Sequence, residues 1–147
     1  MDIKIEAFGE NSGNYMRAAL NLRFQIYTEE LNIDKFREFD GLDKEATHYL
    51  LFVDMLPVGV CRWRKEQDHI IIDRFGIKKN NRGNGYGFLL LKFVINELVQ
   101  SKSEIQILAV RESIPFLNVI GFKDIVEEIG YDDIELVKLV FNPAKAK

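Results

Sequence analysis

The sequence predicts a mixed α/β domain whose mainly antiparallel sheet carries helices on both faces. Three observations carry that reading. Apolar runs rich in β-formers follow one another closely between residues 48 and 77, as the strands of a meander do. The segment from Phe88 to Val99 is apolar over most of its girth, as a well-buried helix is. A further apolar run comes straight after it, so that run should lie parallel to the strand before the helix, joined by a right-handed crossover.

In chain order, Asp2 to Phe8 alternates Ile3, Ile5 and Ala7 with polar residues and reads as a half-buried strand. After the turn from Gly9 to Gly13, Asn14 is the expected cap of a helix with Met16, Ala19, Leu20, Phe24 and Tyr27 on one face. Arg23 and Glu30 fall close to its end. From Leu31 to Ala46 the pattern is broken and charged, with Asp34, Glu38, Asp40, Asp43 and Glu45. This reads as a mostly exposed loop or short helix, a solvated face in the first reading and a site for a cationic substrate in the second.

His48 to Asp54 and Val58 to Arg64 form a hairpin around Met55-Leu56-Pro57, and His69 to Ile77 adds a third antiparallel strand. Gly76 marks a bulge or a close approach to the backbone. Glu104 to Val110 is the parallel strand. A short helix from Ser113 to Val119 follows, capped by Ser113 and stopped by Gly121. Lys123 to Ile129 and Ile134 to Phe141 close the fold around Gly130-Tyr131-Asp132-Asp133, and a polar tail runs from Asn142 to Lys147.

Composition bounds the function. The chain has 147 residues, 47% of them hydrophobic and 29% charged, which suits one folded domain spanning residues 1–147. A net charge of −3 argues against nucleic acid or an anionic membrane as partner. Cys61 is the single cysteine, so no internal disulfide forms and a reducing compartment is expected. Met1 to Gly9 does not read as a secretory signal, and no run approaches 18 apolar residues, so a cytoplasmic protein is expected. His48 and His69 lack the neighbours of a metal site, and no metal is expected.

Between the third strand of the meander and the long helix lies Arg82-Gly83-Asn84-Gly85-Tyr86-Gly87, beside Lys78 and Lys79. A Gly-rich turn opening a helix can hold a phosphate with main-chain N–H groups, although such a run can also be an ordinary loop. A Walker A loop fails, because Phe88 and Leu89 follow Gly87 where Lys-Ser or Lys-Thr is required. The dinucleotide fingerprint fails too, since Phe88 stands in place of its third glycine and a meander precedes the turn.

What remains is Arg-x-x-Gly-x-Gly at Arg82, Gly85 and Gly87, and here the chain resembles the GNAT superfamily of acetyl-CoA-dependent N-acetyltransferases. The run from Pro57 to Arg64 resembles that family's third strand, Asp73-Arg74-Phe75-Gly76-Ile77 its fourth, and the run from Phe116 to Phe122 its late helix ending in Gly-Phe. The N-terminal third, from Leu22-Arg23 through Glu30, Glu38-Phe39-Asp40 and Asp43 to His48, is similar to a small bacterial, glucosamine-phosphate-acetyltransferase-like branch.

The resemblance implies splayed fourth and fifth strands and acetyl transfer from acetyl-CoA to the amine of a small molecule, with a dimer common in such folds. It implies that main-chain N–H groups of Arg82, Gly83, Asn84, Gly85, Tyr86 and Gly87 hold the pyrophosphate of coenzyme A. The backbone of Phe75, Gly76 and Ile77 would receive the pantetheine arm. The amine must lose a proton, and Asp73 and Glu30 are the expected bases, with His48 a third. Each also has a structural reading: Asp73 pairs with Arg62 or Arg74, Glu30 ends a helix, and His48 is a strand residue. Arg62 and Arg74 bind an anionic substrate or pair with the acidic loop. Cys61 reads as core filler. Leu117 stands where relatives carry the Tyr that protonates the leaving thiolate, and Val110 lies near the place of the usual Asn. Three outcomes follow: departure unaided or with water, substitution by Tyr131 or Tyr86, or a module that binds acyl-CoA without turnover.

Overall fold

The computed structural model describes residues 1–33, 38–131 and 134–142, with Tyr131 described in its main chain alone. Strand β1 (Ile3–Phe8) leads to α1 (Gly13–Arg23), which continues as a π-helical segment, Phe24–Glu30. The meander is β2 (Thr47–Val53), β3 (Leu56–Glu66) and β4 (His69–Ile77). Then come α2 (Tyr86–Leu98), β5 (Glu104–Val110), α3 (Ile114–Ile120), β6 (Phe122–Tyr131) and β7 (Ile134–Phe141). Among the described residues the sheet has seven strands in the order β1-β2-β3-β4-β5-β7-β6. Every pairing is antiparallel except β4 with β5.

Alternation along the strands sends side chains to two cores. On one face Leu51, Cys61, Ile70, Ile72, Ile105 and Ile107 pack against Leu90, Leu91, Val94 and Ile95 of α2 and Leu117 and Ile120 of α3. On the other, Leu50 and Val60 meet Met16, Ala19, Leu22 and Ile26. The helix ends differ from the sequence reading. Helix α1 begins after Ser12 with no side-chain cap, and Asn14 instead accepts from Arg17 at 3.2 Å. Ser113 likewise caps nothing, because its hydroxyl donates to the carbonyl of Val110 at 2.6 Å.

The parallel ladder between β4 and β5 is short. It runs from His69–Glu104 to Ile72–Ile107 and stops, while β5 continues along β7 as far as Val110–Leu136. A bulge accompanies the parting. Val60 pairs with Gly76 and Arg62 with Asp73, so β4 carries one residue more than β3 over this step, and Arg74 sits there at φ 50°. An extra residue bends and twists its strand, which turns the end of β4 away from β5. The bulge also shifts the alternation of β4 by one residue, so Phe75 and Ile77 face α2 as Ile70 and Ile72 do.

The acidic segment departs most from expectation. Residues 34–37, Asp34 included, lie outside the described residues, as do 132–133 and 143–147. Glu38, Asp40 and Asp43 do not form a solvated face. They fold over the α1 side of the sheet onto three arginines. Arg23 Nε and Nη2 donate to the carboxylate of Glu38 at 3.0 and 2.7 Å, and its Nη1 donates to Asp43 at 2.8 Å. Arg62 donates to Asp40, Asp43 and Asp73 at 2.7–3.0 Å. Arg74 reaches Glu38 at 3.1 Å and Asp40 at 3.3 Å. Arg23 and Arg62 are fully buried, which a guanidinium tolerates only when its donors are met. The same segment holds His48, whose Nε2 lies 2.9 Å from the carbonyl of Asp43.

The fold makes a direct demand on α2. Leu91 is fully buried between helix and sheet, and Leu91→Ala is expected to lower unfolding free energy by about 2–5 kcal/mol in urea titrations.

Candidate active site

The parted strands enclose a cavity of about 680 Å³, within the range of small-molecule sites. The Gly-rich turn closes one end, with Arg82, Gly83, Gly85 and Gly87 in the wall. Gly83 and Gly85 take φ of 84° and 81°, a left-handed backbone that explains glycine at both positions. Helix α2 starts directly after Gly85, so its first N–H groups and its dipole favour an anion at the turn. Gly87 sits among Ile77, Phe75 and Phe116, where an added Cβ would already lie 3.5–3.6 Å from their side chains. A cradle of this kind offers main-chain donors to an anion.

The side chain of Arg82 serves the protein itself. Its Nε donates to the carbonyl of Ile77 at 2.8 Å, and its two terminal nitrogens grip Glu30 at 2.6 and 2.7 Å. This clasp joins the end of the π-helical segment to the turn. The hydrogen bond from Arg82 holds the Glu30 carboxyl below the usual carboxylate range.

Beyond the turn, the cavity wall is the edge of β4. The N–H of Lys78 donates to the carbonyl of Val58 at 2.8 Å. In an antiparallel ladder the next residue, Ile77, therefore directs its main-chain groups away from β3, towards the opening. Protein side chains reach two of the carbonyls on this edge: Arg82 that of Ile77, and the Tyr27 hydroxyl that of Phe75 at 2.6 Å. Burial pushes the Tyr27 phenol well above its ordinary pKa, so it stays a donor. An extended amide-bearing arm laid along this edge would pair with it as a strand does.

Asp73 and Glu30 are placed differently. Asp73 is buried on the α1 face, held by two parallel bonds from Arg62 at 2.8 and 2.7 Å, and is not among the residues of the cavity wall. Glu30 is in the wall, tied to Arg82. His48 is buried against Phe8, their rings 5.7 Å apart, and burial lowers its pKa. Cys61 is fully buried, which raises its thiol well above the ordinary value. Arg62 and Arg74 pair with the acidic segment, the second of the two roles the sequence left open for them.

At the late helix, Leu117 is fully buried in the core and Phe116 faces the cavity, its ring stacked on Phe75 at 6.1 Å. The Tyr86 hydroxyl points to the sulfur of Met1 at 3.0 Å. The side chain of Tyr131 lies outside the described residues. Sequence reasoning missed Tyr27 and Glu38 as wall residues, and Arg74, offered there as a binder of an anionic substrate, stands in the wall paired with Glu38. For Glu38 and Arg74, the match of three acids in residues 38–43 with the arginines at 23, 62 and 74 was the available signal.

Residues 23–142 match the family described as Acetyltransferase (GNAT) domain. The chain belongs to the GNAT family of acetyltransferases. Acetyl-CoA is the cosubstrate of these enzymes, and a glycine cradle beside an open strand edge suits it. Among relatives, the chain is 25% identical to the uncharacterized N-acetyltransferase YjcF of Bacillus subtilis (strain 168) over 128 residues, 84% of this chain and 91% of the relative. Its fold is similar to that of Escherichia coli ElaA, with TM-score 0.84 and 20% identity over 96% of this chain and 100% of that one. It is also similar to a GNAT family acetyltransferase from Elizabethkingia anophelis with acetyl-CoA bound, with TM-score 0.67 and 17% identity over 95% and 97% of the two chains. The parallel, splayed fourth and fifth strands match the GNAT fold. No described helix is long and apolar enough to cross a membrane.

The two carboxylates should separate on substitution. Asp73→Asn leaves Arg62 buried and short of a partner, and is expected to cost about 3–5 kcal/mol in chemical denaturation. Glu30→Gln breaks a more exposed pair and is expected to cost about 1 kcal/mol or less.

Proposed function

We propose that residues 1–147 act as one domain that moves an acetyl group from acetyl-CoA directly to the amine of a small molecule. The observation that carries this reading is the open edge of β4 with the glycine cradle at its end. In it, N–H groups from Arg82 to Gly87 hold the pyrophosphate, and the backbone of Phe75, Gly76 and Ile77 receives the pantetheine arm. Acetyl-CoA supplies an activated thioester carbonyl. The neutral amine attacks that carbon, the carbon–sulfur bond breaks, and the amine loses its proton to water or a base.

The residues assign those roles unevenly. In this reading a main-chain N–H of β4 stabilises the oxyanion. Asp73 is a structural partner of Arg62 in this reading. Glu30 is the base that remains, working through water, and its low basicity beside Arg82 leaves much of the proton loss to solvent. The wall hydroxyls of Tyr27 and Ser113 each donate to a main-chain carbonyl, at 2.6 Å in both cases. With Leu117 in the core, the thiolate in this reading departs unaided or with water as acid, and Tyr86, a wall residue, is the alternative acid. The burial of Leu117 also favours a second reading, a module that binds acyl-CoA without turnover.

Calorimetry and thermal unfolding with acetyl-CoA test both readings, since a ligand at a hundred times its dissociation constant adds about 2.7 kcal/mol. Binding is expected, and Gly85→Val, strained at a φ of 81°, is expected to abolish it. An amine panel scored for free CoA thiol separates the two readings. Turnover with any amine, rising with pH as the ammonium deprotonates, supports transfer, and binding with no turnover supports the module.

A further inference from the structure

The cavity has a second half, set apart by strand alternation. Phe75, Ile77 and Phe116 face α2 and the glycine cradle. On β5 and β7 the residues facing that side are Ile107, Val137 and Leu139. Their neighbours Leu108, Val110 and Leu136 point the opposite way and line the cavity, with Val110 paired to Leu136 in register. Lys138, the partner of Leu108 on that face, is not among the wall residues and is engaged by Glu127. Across the opening from Leu108, Val110 and Leu136 stands the π-helical segment and its continuation, with Ile26, Leu31 and Ile33 in the wall. Ile26 packs over Gly76, where a Cβ would lie 3.0 Å from its Cδ1.

The polar groups of this half are committed. Glu38 receives bonds from Arg23 and Arg74 and is 2% exposed. Arg74 also reaches Asp40, and Tyr27 donates to Phe75. Among the described residues, the cations in the cavity wall are Arg74 and Arg82, and each is paired with a carboxylate. Glu112, at the exposed rim, adds negative charge. Among the described residues of the wall, a phosphate or carboxylate on the acceptor would meet no uncommitted cation, and would lose hydration against apolar walls. A polyamine would bury further ammonium groups on the same walls. An aryl or alkyl body, by contrast, gains from leaving water for those walls.

We propose that the acceptor is a primary amine on an apolar body, an arylalkyl amine in chemical class, rather than a phosphorylated amino sugar, an amino acid or a polyamine. This rests on the acetyl-CoA reading above, because the apolar half is the space left when the cradle and the β4 edge are occupied.

Calorimetry on protein saturated with CoA tests it without turnover, using 2-phenylethylamine, glucosamine 6-phosphate and spermidine as probes. The expected result is that 2-phenylethylamine binds at least tenfold more tightly than the other two. Equal or tighter binding of glucosamine 6-phosphate or spermidine would overturn the proposal, as would no detectable binding of 2-phenylethylamine. Ile134→Glu provides a second arm, since Ile134 is a half-buried wall residue on the same face of β7 as Leu136. It is expected to weaken 2-phenylethylamine at least tenfold with CoA affinity unchanged, and an unchanged amine affinity would contradict the assignment. Loss of the amine preference with CoA binding intact bears on the acceptor alone, whereas failure to bind CoA bears on the function itself.

Discussion

Main-chain pairing between β4 and β5 holds from His69 to Ile72 and no further, and the strand edge beyond it has to find other partners. Backbone carbonyls shielded from water need donors, and a sheet interior offers none once the neighbouring strand has turned away. Two side chains supply them here, Tyr27 to Phe75 and Arg82 to Ile77. Both residues belong to the elements that close the cavity, the π-helical segment and the glycine turn. The gap is thus a built feature, and the amide-bearing arm of coenzyme A is a ligand whose chemistry matches it.

The buried ion network has the complementary task of holding the gap open. Arg74 sits at the bulge in a left-handed conformation, a backbone state that costs about 1–3 kcal/mol and persists only where the surroundings impose it. Glu38 and Asp40 hold its guanidinium, while Arg62 binds Asp73 one residue away. Burial works against the Asp40 carboxylate, yet hydrogen bonds from Arg62 outweigh it and keep its pKa well below the ordinary value. Charges placed this deep add little net stability against an apolar core of the same shape, but removing one partner is severe. Their contribution here is geometric, since they fix the bulge and one wall of the cavity together.

Much of the fold was legible because its signals are local. Alternation gave β1 and the meander, the apolar girth of residues 88–99 gave α2, and Gly83 and Gly85 marked a turn whose positive φ only glycine takes without strain. The acidic segment was not legible in the same way. Its partners lie 15 to 36 residues away, and a charged run with no apolar period reads as solvated until the arginines opposite it are placed. Asp73 illustrates the limit: adjacent to the site in sequence, it points to the other face of the sheet, because alternation and the bulge together decide which side it meets. The start of α1 at Ser12 also escaped, whereas the start of α3 at Ser113 was read correctly although its hydroxyl makes no cap.

The account depends on coenzyme A pairing with the edge of β4, and amide hydrogen exchange followed by NMR observes that edge residue by residue. On saturation with CoA, the amides of Phe75 and Ile77 are predicted to slow together with those of Gly85 to Phe88, while amides in the ladder from Ile70 to Ile72 change little. Protection confined to the glycine turn, with Phe75 and Ile77 exchanging as before, would contradict it.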